Sequence, residues 1–211
     1  RIKSLWEKLL IPAFVFFFQK LYPFTWVNDP ASPTAAAAGG CMLIRRETLR
    51  RVGGVKPIRN QLIDDCAMGR LIKTHGPIWL GLTEETHSLR AYDALGDIWN
   101  MVARTAFVQL DYSFLSLIGA VIGMVVIYLV PPAAVFYGLA NGKYGIAITG
   151  GLSWAFMAMS YWPTLKLYGE PMWRAAWLPA AALLFTMMTI SSALRYWQGR
   201  GGRWKGRHYG R

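Results

Sequence analysis

Three long stretches without a charged side chain dominate the second half of the sequence. Phe114–Val130 is followed, after Pro131-Pro132, by Ala133–Ala140, so the uncharged run reaches 27 residues. Tyr144–Leu165 is a second run of 22, and Trp177–Leu194 a third of 18. About 20 apolar residues in a helix cross a hydrocarbon layer roughly 30 Å thick. Only a helix satisfies its own backbone there without a closed barrel. Three such runs in succession do not suit a soluble core and predict an all-α transmembrane region over 114–197. Aromatic residues, which collect at membrane–water boundaries, are abundant: ten each of Trp, Tyr and Phe.

Charge divides the chain at the same place. Residues 1–113 hold 14 Lys/Arg and 10 Asp/Glu, whereas 114–211 hold 9 Lys/Arg and the single acid Glu170. The first part reads as water-facing and the second as lipid-facing. The tail from Arg195 has six Lys/Arg and no acid, which places residues 198–211 in the cytoplasm by the positive-inside rule. Three full crossings would put the two flanks on opposite sides, although both have cytoplasmic character. A re-entrant break at Pro131-Pro132, or a third run only half inserted, would each remove that conflict. The net charge of +12 sits beside apolar segments, as anionic head groups select. No recognition helix or aromatic-basic platform for nucleic acid is evident.

In the first part, Leu9–Phe18 is apolar but only ten residues long, so the stretch 5–22 predicts a helix lying in the interface, with Trp6 and Tyr22 at its margins. A buried core helix is the alternative. Residues 25–40 are loop by their Pro, Asn, Asp and Gly content. Cys41–Ile44 reads as a short strand. A short helix follows from Arg46 and ends at Gly53-Gly54. Residues 60–75 form an amphipathic helix with Leu62, Met68, Leu71 and Ile72 on its apolar face. Residues 78–90 suggest strand, and 93–112 another helix. Cys41 and Cys66 have no metal spacing, and His75 and His87 are isolated. With no Met at the start and no signal peptide, residue 1 reads as a boundary inside a longer chain.

The chemistry gathers around Asp64-Asp65, an acidic pair opening the 60–75 helix. A carboxylate at a helix N-terminus is held by the local N–H groups, and it suits a general base. Capping alone is the plainer role for both. The order Ala-Ala-Gly-Gly-Cys-Met-Leu-Ile-Arg-Arg-Glu (37–47), Ile-Asp-Asp-Cys-Ala-Met (63–68), Ser-Leu-Arg-Ala-Tyr-Asp (88–93) and Ile-Trp-Asn-Met-Val-Ala-Arg-Thr-Ala-Phe (98–107), closing on Arg-Trp-Lys-Gly-Arg-His-Tyr (203–209), resembles family 2 glycosyltransferases. It is most similar to their hopene-associated branch, and the resemblance spans essentially the whole chain. It implies an α/β, partial GT-A-like acceptor-side half over 1–113, ahead of the transmembrane region.

The resemblance also implies an inverting enzyme that moves a sugar from a nucleotide-sugar donor to a lipid acceptor, hopanoid-related, at the bacterial inner membrane. Asp65 would be the base, and Asp64 a second catalytic candidate that orients or caps. Arg104 would hold the diphosphate leaving group, since a guanidinium matches phosphate geometry. The Gln and Trp that flank this arginine in the family are missing here. Gly39 and Gly40 would allow close backbone approach to substrate. Arg90 and Tyr92 could line the same cleft, and Trp204-Lys205-Gly206-Arg207 would rest at the head-group layer. No Asp-x-Asp motif is present, so Mg²⁺ or Mn²⁺ is expected in the complete enzyme, with no metal bound by this segment. A non-enzymatic membrane scaffold or transporter-like subunit is the competing class; the uncharged runs count against transport.

Overall fold

The computed structural model describes residues 2–86, 88–201, 203–204 and 207–208. His87, Lys205 and Gly206 lie outside the described residues. The chain divides into two compact units, one of Phe17–Arg90 with Arg200–Arg211, the other of Ile2–Phe16 with Ala91–Gly199. The division falls inside the first helix, α1 (Leu5–Leu21).

The first unit holds the end of α1, then α2 (Phe24–Asn28), α3 (Arg46–Arg51), a 3₁₀ turn at Lys56–Ile58 and α4 (Asp64–Lys73). Gly53 and Gly54 end α3 at φ +82° and +70°, where a Cβ is costly. The Gly54 N–H donates to Leu49 O (2.8 Å) and the Gly53 N–H to Arg50 O (3.1 Å), closing the expected cap as a Schellman motif. Tyr22, Val27, Ala36, Cys66 and Leu80 form the unit's apolar core.

The expected α/β architecture is not found. Neither Cys41–Ile44 nor the described residues of 78–90 form a strand. Among the described residues the only ladder is a two-residue antiparallel pair, β1 (Arg203–Trp204) with β2 (Arg207–His208). A strand needs a neighbour for its backbone and a covered face for its side chains. Leu43 is 100% exposed. Leu80 is held instead by a side chain: Asn28 Nδ2 donates to Leu80 O (3.0 Å), and the Leu80 N–H donates to Asn28 Oδ1 (2.6 Å). The amide takes the place of a strand partner.

The second unit begins with a capping box. Ser4 Oγ accepts from the Glu7 N–H (3.0 Å), and Glu7 Oε2 accepts from the Ser4 N–H (3.0 Å) and the Lys3 N–H (2.7 Å). Glu7 is fully buried, and its other oxygen accepts the Tyr92 N–H (2.9 Å). Removing a partner from a buried donor costs about 1–3 kcal/mol. Glu7→Ala removes the acceptor of three partly buried N–H groups. It should lower the thermal midpoint sharply in detergent, while Glu7→Gln loses less; an unchanged midpoint would refute the structural role.

Then come α5 (Leu95–Gln109), α6 (Phe114–Met124), a π-helical turn (Val125–Leu129), α7 (Val130–Ala140), α8 (Tyr144–Leu167), a 3₁₀ segment (Met172–Trp177) and α9 (Leu178–Trp197). No break occurs at Pro131-Pro132. Prolines lack the N–H for the carbonyls four residues back and crowd them. The widened π turn just ahead absorbs this, so Phe114–Ala140 continues as one 27-residue helix.

Among the described residues two helices are long and apolar enough to cross a membrane, Phe114–Ala140 and Met172–Trp197. The second predicted run forms α8, 24 residues long, but Gly145, Thr149, Ser153 and Ser160 dilute its apolar character. Helices α7 and α8 pack closely because two glycines allow it. A Cβ on Gly150 would sit 2.7 Å from Pro131 O, and one on Gly138 2.5 Å from the Ala147 N.

The helical block leaves beside the point where it entered. The Phe114 and Trp197 rings lie 6.0 Å apart, and Leu117 shares a buried cluster with Ala193 and Phe107. Helix α9 therefore runs antiparallel to α6. Trp154, midway along α8, donates from Nε1 to Ala176 O (3.2 Å). Leu167 is 13 residues beyond Trp154, about 20 Å of helix, so the segment after α8 doubles back along it before α9 starts.

Candidate active site

The site grows from the contact between α4 and the small-residue run Ala35–Gly40. Helix α4 has no side-chain cap from Ile63. Its first turn carries Asp64 and Asp65 and its last Arg70 and Lys73, the distribution a helix dipole favours. Cys66, Ala67, Met68 and Gly69 are its buried residues. A Cβ on Gly69 would meet Ala36 C and O at 3.0 Å, so backbone lies against backbone here. Cys66 Sγ donates to Ala37 O (3.6 Å). Desolvation by burial pushes the Cys66 thiol above its ordinary pKa, keeping it protonated and inert.

One turn along, the same contact fixes the carboxylate of Asp65. Its Oδ2 accepts the Gly39 N–H (2.9 Å) and its Oδ1 the Cys66 N–H (2.7 Å). Asp65 is half-buried, while Asp64, Gly39 and Gly40 are exposed. Asp64 Oδ1 accepts the Asp65 N–H (3.0 Å), a capping contact that leaves its side chain at the surface. The structure thus brings Asp64, Asp65 and Gly39 together. A Cβ on Gly40 would meet nothing within 4 Å. Arg104 belongs to the second unit, half-buried on α5. Tyr92 is bound to Glu7 through its backbone in that unit, and the Arg90 N–H donates to Ser88 Oγ (3.3 Å). His75 lies at the end of α4, with Nδ1 2.8 Å from Thr74 Oγ1.

Lys73 anchors the far end of α4 and was not foreseen. Its Nζ donates to Trp26 O (3.1 Å), Val27 O (2.8 Å) and Thr34 O (2.6 Å). The first two are carbonyls at the C-terminal end of α2 (Phe24–Asn28), where a cation is favoured. Lys73 and Gly69 together hold the 26–40 loop on α4, and so place Gly39 on Asp65. A glycine in mid-helix opposite an alanine run was the available sequence signal.

Among the described residues no three His, Cys, Asp or Glu side chains converge in a way that could hold a metal ion. Among the described residues the acids at this site are the pair Asp64 and Asp65, fewer ligands than a dedicated protein site gives a divalent cation.

The family model of glycosyl transferase family 21 matches residues 15–210. No curated protein and no solved structure matches the chain. The motifs that resemble family 2 and its hopene-associated branch thus lie within a match to a differently numbered family of sugar-transferring enzymes. A scaffold or transporter-like subunit does not account for that match. Across nearly all of its length, the chain belongs to glycosyl transferase family 21.

Proposed function

We propose that this chain forms the acceptor-handling part of a membrane-embedded glycosyltransferase that moves a sugar from a nucleotide donor to the hydroxyl of a lipid. One observation carries the proposal. A half-buried carboxylate at the start of a helix is fixed by two N–H groups, in a chain that also has two helices fit to span a bilayer.

The chemistry follows from that carboxylate. As the lipid hydroxyl oxygen attacks the anomeric carbon, its proton passes to Asp65. The bond from that carbon to the diphosphate oxygen breaks, and the electron pair leaves with the nucleoside diphosphate. Attack opposite the leaving group inverts the anomeric centre. Each bound oxygen of Asp65 keeps a second lone pair, so the N–H contacts orient the base without consuming it. Positioning of this kind, with proton removal, contributes about 10²–10⁴ in rate. A Mg²⁺ or Mn²⁺ on the donor diphosphate would neutralise charge on the leaving group. The Arg104 guanidinium, on α5 of the second unit, has the geometry that pairs with a diphosphate.

Outward-facing Ile122, Ile127, Phe136 and Leu183 support lipid around the helices, since a soluble surface rarely carries so much apolar area. The neighbouring ring positions of Phe114 and Trp197 favour both flanks on one face. The basic tail favours the cytoplasmic face of a bacterial inner membrane. A hopanoid is one acceptor with the required hydroxyl and apolar body.

The test is transfer itself. Membranes containing the protein are given labelled nucleotide sugars, and label is followed into solvent-extractable lipid. Lipid-bound label with inverted anomeric configuration is expected. Label found only in water-soluble or protein fractions would contradict a lipid acceptor.

A further inference from the structure

The Gly39 N–H donates to Asp65 Oδ2 at 2.9 Å, and a Cβ at residue 39 would sit 3.2 Å from both Asp65 Cβ and Oδ2. We infer that Gly39 is a positioning residue for the base: its amide aims the Asp65 carboxylate, and its missing side chain is what lets the amide come so close. This rests on the reading of Asp65 as base. It differs from a substrate-binding role for Gly39, because the glycine's contact is with the carboxylate.

The surroundings support an engineered approach. The Cys41 N–H donates to Ala38 O (3.2 Å), closing a tight turn over residues 38–41 that presents the Gly39 amide. Ala36 and Ala37 lie on Gly69 and Cys66, and Lys73 clamps the start of the loop at Thr34. The turn is thus closed by its own hydrogen bond and anchored on the N-terminal side of the amide. No left-handed φ is recorded at Gly39, so the reason for glycine is space, not backbone conformation. Gly76, by contrast, opens onto free space.

A side chain at 39 must displace either the turn or the carboxylate by a few tenths of an ångström. A misplacement of about 1 Å can cost roughly 100-fold in rate, so a smaller shift should cost about 10-fold. Gly39→Ala should lower kcat by about that factor with donor KM unchanged, while Gly76→Ala stays at the parent rate. In an Asp65→Asn background Gly39→Ala should add almost nothing to the loss, because both changes act through one carboxylate. Independently of folding yield, hydrogen exchange at 38–41 in the otherwise unaltered protein should be slow and should speed up in Asp65→Asn.

Three results separate the possibilities. Full activity in Gly39→Ala overturns the positioning role. So does an equal loss in both backgrounds, which would indicate a structural or substrate contact. Full activity in Asp65→Asn instead overturns the assignment of the base, whatever Gly39 does.

Discussion

Gly150→Leu should collapse the pairing of α7 with α8, with a loss of roughly 3 kcal/mol or more. Overpacking usually costs about 1–3 kcal/mol when side chains can move aside. Here they cannot. The added Cβ alone would stand 2.7 Å from Pro131 O and 3.0 Å from the Val135 N, both backbone atoms, as well as 2.9 Å from Ala134 Cβ. Pro131 follows the π turn, so its carbonyl is fixed by the ring and the widened helix together. The neighbouring Gly151 offers the internal control. A Cβ there meets only Val135 Cγ2, at an ordinary 3.9 Å. Gly151→Ala should be neutral or slightly stabilising, because alanine favours a helix by about 1 kcal/mol over glycine. Thermal unfolding in detergent followed by tryptophan fluorescence checks both. Equal midpoints for the two variants would disprove the close approach.

Signals confined to a few neighbouring residues were readable in the sequence. The acids that open α4 and the Gly53-Gly54 stop of α3 depend on one turn of chain, and both appear as expected. The apolar runs became helices for the same reason. The Ser4-x-x-Glu7 box was equally local, standing just before the apolar run from Leu9, and could have been read. What failed depended on distant partners. Cys41–Ile44 has a strand's composition, but composition supplies no neighbouring strand. Leu80 is secured by Asn28, 52 residues away, and the loop before α4 by Lys73. The Pro131-Pro132 pair suggested a break because sequence shows the lost N–H groups and not the π turn that accommodates them. Likewise the doubling back after α8 comes from packing of the 3₁₀ segment on that helix, marked by the Trp154–Ala176 bond. The candidate site was half legible. Asp65 could be named, whereas the Gly39 amide and the Gly69 contact that aim it come from three-dimensional packing.

Asp65→Asn should reduce sugar transfer by about 10²–10⁴, the range for removing a positioned general base. Asparagine keeps the shape of the side chain but can accept only one of the two N–H groups, its NH₂ facing the other. It cannot take the proton of an attacking hydroxyl. Donor KM should therefore stay near the parent value while kcat falls, the pattern of an interaction used in the transition state. Asp64→Asn should remain within roughly threefold, as for other exposed positions, since Asp64 only receives the Asp65 N–H. The most direct measurement is the rate of sugar transfer into extractable lipid by Asp65→Asn and Asp64→Asn side by side, in membranes holding equal amounts of folded protein. The account predicts a collapse for the first and near-parent turnover for the second. Parent-level transfer by Asp65→Asn, or a collapse confined to Asp64→Asn, would contradict it.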